Sequence, residues 1–189
     1  MTSTDRQYFH DMYQVSEDPW DFATSWYEAR KYALTMAALP RQRYANAFEP
    51  GCSIGILSEL LASRCERVLS TDIVDTALER AKARVAPLGN VLVRRLAIPE
   101  DWPREHFDLV VISELAYYFS PLALDQILSH AAESTEEGDT LVGVHWRGVT
   151  DYPLSAGEAH RRVDDCPKFR RIVHHEDERF LLDVWERAR

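Results

Sequence analysis

Residues 44–55 read Tyr44-Ala45-Asn46-Ala47-Phe48-Glu49-Pro50-Gly51-Cys52-Ser53-Ile54-Gly55. Tyr44–Glu49 reads as a short strand, and Pro50-Gly51 breaks it. Ile54, Leu57, Leu60 and Leu61 then keep helical spacing, which predicts a helix over Ile54–Arg64. A strand that turns through a glycine-bearing loop into a helix opens a βαβ unit. Gly51 lets the chain turn tightly, and Gly55 lets helix and strand approach closely. The first N–H groups of the helix have no partner within it and face whatever lies beyond the strand end.

The pattern continues downstream. Arg67–Thr71 is a second strand closing on Asp72, and Asp75 reads as the N-cap of a helix through Val85, stopped by Pro87 and Gly89. Val91–Leu96 is a third strand. Phe107–Ile112 is the fourth and most apolar, so it belongs at the sheet centre. Pro121–Ser134 is a helix with proline in its first turn, Thr140–His145 a fifth strand, and Ala156–Asp164 a short helix. Phe169–His174 and Arg179–Trp185 look like an antiparallel pair joined by His175–Glu178. Upstream, Ser25–Leu39 is helical and Pro40 ends it. Strands alternating with helices mean an α/β, doubly wound, mostly parallel sheet with helices on both faces. A closing antiparallel hairpin departs from a plain dinucleotide-binding fold.

In doubly wound folds the first βα turn faces a ligand at the carboxyl edge of the sheet. The dinucleotide fingerprint G-x-G-x-x-G, started at Gly51, would need glycine at positions 53 and 56. Ser53 and Ile56 stand there, so it fails twice. The stretch resembles instead the E/D-x-G-x-G-x-G motif of S-adenosylmethionine-dependent methyltransferases: Glu49, Gly51 and Gly55 match, and Ser53 replaces the middle glycine. A pyrophosphate favours a helix N-terminus without acidic neighbours. A sulfonium and an ammonium are complementary to Glu49. Asp72 ends the next strand, where an acidic residue about 20 residues past the turn accepts hydrogen bonds from ribose hydroxyls; it also reads as a cap for the following turn.

The resemblance extends further. Asp18-Pro19-Trp20, Tyr27-Glu28, the basic helix Ala29–Tyr32, Phe48–Gly55, Asp72-Ile73, Trp102-Pro103, Phe107–Val111 and Ser113–Tyr118 resemble the nodulation-protein-S type of class I methyltransferase. That likeness implies a Rossmann-like seven-stranded sheet with a C-terminal antiparallel hairpin. It also implies methyl transfer to an acceptor such as the deacetylated glucosamine end of a chitooligosaccharide. Glu49, Gly51 and Cys52 would contact the methionine end of S-adenosylmethionine, with Gly55 in the same loop. Asp72 would hold the ribose and Ile73 would pack on adenine. Leu96 and Ala97 occupy the position where an acidic residue usually meets the adenine amine, which leaves backbone groups for that contact. Ser113 would offer a backbone carbonyl to the ammonium, with Glu114 beside it.

In-line displacement at a sulfonium methyl requires a nucleophile held about 3 Å from the carbon. An amine acceptor must be neutral, which favours a nearby acid/base group. The residues expected there are Glu114, His145, Tyr117 and Tyr118, with Trp146 and Arg147 following His145. Tyr8, Tyr13 and Trp20 would fold over the cofactor as a lid. Each has a plainer reading: Tyr117 and Tyr118 as helix-start packing, His145 as a satisfied strand-end histidine, Trp20 as a hydrophobic staple. His160 is a weaker candidate base. His174 and His175 lack further ligands at metal spacing, so no metal site is expected, and Cys52 lacks a histidine partner for nucleophilic catalysis.

Composition sets the outer bounds. The 189 residues are 46% hydrophobic and 28% charged, ordinary for one globular domain. The expected layout is a single domain over 1–189, with an N-terminal helical lid segment (1–40) and a Rossmann-like core (41–189). A net charge of −9 argues against tracking nucleic-acid phosphates or docking on an anionic membrane. Three cysteines at unrelated spacings, no apolar run of spanning length and an N-terminus without an export signal make the cytoplasm the expected compartment. The partner expected is a small-molecule acceptor, sugar-like in character, methylated on an amine or a hydroxyl; the oligomeric state is left open. Two other functions remain on these residues: an NAD-dependent oxidoreductase, and a catalytically inactive S-adenosylmethionine-binding protein.

Overall fold

Strand β1 (Tyr44–Pro50) starts the sheet where its sequence predicts, and its last four residues are buried. In this computed structural model, residues 3–189 are described; the first two residues of the expected 1–40 segment lie outside them. The described chain divides into two compact units, Asp5–Ala97, and Ile98–Arg189 with Ser3 and Thr4. Among the described residues, seven strands form one mixed sheet in the order β3-β2-β1-β4-β5-β7-β6.

In the unit Asp5–Ala97, β1 pairs in parallel with β2 (Cys65–Asp72), and β2 with β3 (Val91–Arg95). Helices α3 (Ile56–Ala62) and α4 (Asp75–Val85) are the crossovers. Two helices precede β1: α1 (Arg6–Val15) and α2 (Trp26–Ala38). The sequence reading gives bounds only for α2; α1 is a polar ten-residue helix that buries a single residue, Tyr13. Helix α3 begins at Ile56 rather than Ile54, since Gly55 holds φ +80° and forms the N-cap. A Cβ at Gly55 would lie 3.0 Å from the Cα of Ala81, so the close approach it permits is to α4. Asp75 is the first residue of α4 rather than its cap. The turn into α4 is held by Asp72, whose Oδ1 accepts from the N–H groups of Ile73 (2.7 Å) and Val74 (3.0 Å).

In the second unit, β4 (Leu109–Ser113) pairs in parallel with β5 (Thr140–Trp146). A 3₁₀ turn (Ala116–Tyr118) and α5 (Pro121–Glu133) lie between them. Pro121 opens α5, as its sequence predicts, and Ser120 caps it. Helix α6 (Ala156–Asp164) starts with a Ser155/Glu158 capping box. The hairpin β6 (Phe169–Glu176) and β7 (Phe180–Arg187) is antiparallel, and β7 pairs antiparallel with β5. Trp185 of β7 is fully buried beside Gly143 of β5, where a Cβ would meet its ring at 2.9 Å.

Candidate functional site

The loop leaving β1 turns through three residues in the left-handed region, Gly51 (φ 73°), Ser53 (φ 50°) and Gly55 (φ 80°). Ser53 therefore takes the conformation that the matching glycine would take, and the turn survives the substitution. Its hydroxyl hydrogen-bonds the Tyr13 hydroxyl. Cys52 donates its N–H to the Thr71 carbonyl (2.8 Å), and its side chain packs with Leu78, Ala81, Val85 and Val93. Burial pushes its thiol pKa up, which does not suit nucleophilic chemistry.

Glu49 and Asp72 form an acidic pair at the ends of β1 and β2. Glu49 is 3% exposed, and its Oε2 accepts from Ser58 Oγ (2.5 Å) and Ser70 Oγ (2.8 Å). No hydrogen bond reaches Oε1 among the described residues. Burial raises the Glu49 pKa from 4.5 to about 7 against the lowering effect of the two serines, and Asp72 adds to the rise. Asp72 is also raised, again chiefly by burial, although it accepts from three backbone N–H groups, including Ser53 N at 2.9 Å. Neither carboxylate is ion-paired with a lysine, arginine or histidine among the described residues. A buried Glu49 beside a half-buried Asp72, neither with its own cation, is suited to a cationic ligand and hostile to a pyrophosphate.

Around this loop, Tyr13 packs with Ile54, Val74 and Ala77, and Phe9, Trp20, Phe22, Ile56 and Ile73 join at the edge. Trp20 meets Tyr13 edge-on at 5.6 Å and stacks on Phe22 at 5.6 Å. It is a packing residue of the N-terminal segment, the plainer of its two readings. Leu96 and Ala97 follow β3, both half-buried, and Leu96 N–H donates to the Asp72 carbonyl (3.3 Å).

The second cluster is built within residues 98–189. Ser113 ends β4 and Glu114 follows with φ 52°, an unusual conformation for a side chain with a Cβ. Its N–H continues the ladder to the Val144 carbonyl (2.7 Å). Its Oε2 accepts from the Tyr117 hydroxyl and from Trp146 N–H (2.9 Å). The Tyr117 pKa is pushed well above its usual value by burial and by the Glu114 charge, so it stays a donor. Tyr117 stacks on Tyr152 (5.3 Å, 25°) and meets Tyr118 edge-on at 4.7 Å, and Tyr118 leans on Tyr152 at 4.5 Å.

His145 behaves differently from the expected base. It is 1% exposed, its Nε2 accepts from Ala116 N–H (3.0 Å), and its Nδ1 bonds His160 Nε2 (2.8 Å). Both ring nitrogens are committed inside the fold, which leaves no lone pair for a substrate proton. Glu114, Tyr117 and Tyr118 are brought together; His145 lies beneath them, edge-on to Tyr117 at 5.2 Å. The sequence reading passes over Tyr152 and Asp183. Asp183 had a legible signal: one carboxylate inside the apolar run Phe180–Trp185.

Residues 5–132 match the family model described as Nodulation protein S (NodS). Nodulation protein S of Bradyrhizobium diazoefficiens is 33% identical over 117 residues, covering 61% of this chain and 54% of that protein. That of Rhizobium tropici is 30% identical over 121 residues, covering 60% and 51%. The chain spans about half the length of these curated relatives. A putative methyltransferase from Pseudomonas syringae is 39% identical, over 86% of this chain and 100% of that one, with a TM-score of 0.77. The N-methyltransferase NodS from Bradyrhizobium japonicum, in complex with S-adenosyl-l-homocysteine, superposes with a TM-score of 0.82 over 96% of this chain and 98% of that one; at 18% identity this is a likeness of fold. With two thirds of its length under the matching family model, the chain belongs to the nodulation protein S family.

Proposed function

We propose that this chain is an S-adenosylmethionine-dependent methyltransferase acting on an amine of a small, sugar-like acceptor. The observation that carries the reading is the acidic pair of buried Glu49 and half-buried Asp72, which has no cation of its own among the described residues and stands beside a loop that turns through Gly51, Ser53 and Gly55. Glu49 Oε1 would accept from the ligand ammonium. Asp72 keeps acceptor capacity on Oδ2 for a ribose hydroxyl. Ile73 would pack on the adenine, and backbone groups of Leu96 and Ala97 would meet its edge. The bound cofactor supplies an electrophilic methyl on sulfur. Glu114 would take the proton that an ammonium acceptor must lose before its nitrogen can attack. Tyr117 orients that carboxylate through its hydroxyl, and the Tyr117/Tyr118/Tyr152 rings offer faces to a pyranose. The N-methyl assignment draws support from the relatives' names, and the three free cysteines suit a reducing cytoplasm.

The test is transfer of label from methyl-labelled S-adenosylmethionine to chitooligosaccharides. The N-deacetylated oligomer should be labelled and the fully acetylated one should not. Absence of transfer to any amine in an acceptor panel, from protein that binds the cofactor, would refute the catalytic assignment.

A further inference from the structure

Beneath the Glu114 loop, four polar side chains form a line that the methyl-transfer chemistry does not use. Ala116 N–H donates to His145 Nε2 (3.0 Å), His145 Nδ1 meets His160 Nε2 (2.8 Å), His160 Nδ1 meets Asp183 Oδ2 (2.7 Å), and Asp183 Oδ1 meets His174 Nδ1 (2.6 Å). His145, His160 and Asp183 are each at most 3% exposed.

We propose that His160 and Asp183 are positioning residues for Glu114: they hold His145 in one tautomer so that it fixes Ala116 N–H, and with it the strained turn that aims Glu114 and Tyr117. This rests on the reading of Glu114 as the acceptor-side base.

The direction of the chain follows from its first link. A backbone N–H only donates, so His145 Nε2 carries no proton. Nδ1 then carries it and donates to His160, whose Nε2 must be bare. His160 Nδ1–H donates in turn to Asp183. Every donor has one acceptor, and both imidazoles are neutral. An added proton on either ring sets two N–H groups face to face, at Ala116 or between the histidines, and releases the turn. The Asp183 end is anchored. Burial raises its pKa, but hydrogen bonds from His160 and His174 win and hold it below the ordinary carboxylate range. The charged and titratable groups facing the chain are Arg171 of β6 (3.6 Å from Asp183, 2.9 Å from Asp164), Asp164 of α6, His174 and Glu176 of β6, and Glu114 and Tyr117 above His145. His174 is half-exposed, with Nδ1 on Asp183 and Nε2 3.7 Å from Glu176. Gly143 makes room for the line: a Cβ there would stand 3.3 Å from His160 Nε2.

The decisive experiment combines ¹⁵N spectra of the histidine rings with amide exchange at Ala116. In the wild type at pH 7, His145 and His160 should both show a protonated Nδ1 and a bare Nε2. His160→Leu should speed Ala116 exchange at least tenfold, lower kcat at least tenfold and leave KM for S-adenosylmethionine within twofold. His160→Gln, whose Oε1 accepts from His145 Nδ1–H, should restore both, and its kcat should persist to lower pH than that of the wild type. Protonated Nε2 on His145, or equal Ala116 exchange in the Leu and Gln variants, would overturn the proposal. If the Leu variant does not fold, the wild-type ring spectra decide alone. A wild type without turnover on any acceptor, yet with the stated ring spectra, would refute the methyl-transfer reading and spare the hydrogen-bond chain.

Discussion

Replacing Glu49 with glutamine should stabilise the ligand-free protein and cripple it as a binder. The native carboxyl titrates near pH 7, against 4.5 when unburied. Between those values the folded state holds more protons than the unfolded state. Stability therefore falls as pH rises through this window and stays low above it. At 1.36 kcal/mol per pH unit the loss reaches about 3 kcal/mol by pH 8. Glutamine carries no charge at any pH. Its carbonyl can take the place of Oε2 and keep both serine hydrogen bonds, while its NH₂ lands at Oε1 and costs about 1 kcal/mol for imperfect pairing. The net gain at pH 8 is about 2 kcal/mol, or about 4–8 °C in Tm for a chain of this size. At pH 4.5 the gain vanishes. Binding should move the other way: losing a charge-assisted hydrogen bond of about 1.5–3 kcal/mol weakens S-adenosylhomocysteine roughly 10- to 150-fold. The assay is a pair of thermal melts at pH 4.5 and pH 8 with and without ligand. A Tm difference between the two proteins that is the same at both pH values would refute the reasoning.

Three further outcomes follow from the same geometry. Glu114→Gln should lower kcat by about 10²- to 10⁴-fold while leaving S-adenosylhomocysteine affinity within twofold, read by label transfer and calorimetry. Asp72→Asn keeps an acceptor for Ile73 and Val74 but turns an amide donor toward Ser53 N–H; it should cost about 1–3 kcal/mol in urea melts and weaken the ligand at least tenfold. Gly55→Ala forces a Cβ to 3.0 Å from Ala81 at φ +80° and should destabilise by about 2–4 kcal/mol in the same melts.

The β1 loop was legible because backbone needs leave local signatures: Gly51 and Gly55 stand where φ is positive, and Glu49 ends a buried strand. Ser53 hid the same need behind a side chain, and only coordinates reveal that it adopts the glycine conformation. The parallel strands and the closing hairpin were legible from short apolar runs, with ends displaced by a residue or two where a turn residue, such as Asp177, accepts from the next strand. The hydrogen-bond chain under Glu114 was not legible. Its members come from β5, α6, β7 and β6, so no sequence window contains them, and a histidine's use of both nitrogens is a tertiary fact. Cys52 fell within the motif, yet the twist of the loop points its thiol into the α4 packing.

The most direct measurement is a calorimetric titration of the folded wild-type protein with S-adenosylhomocysteine, and separately with NADH, at pH 8. The account predicts saturable heat at one site with the thioether nucleoside and none with the dinucleotide. Heat with NADH alone, or with neither, would contradict it.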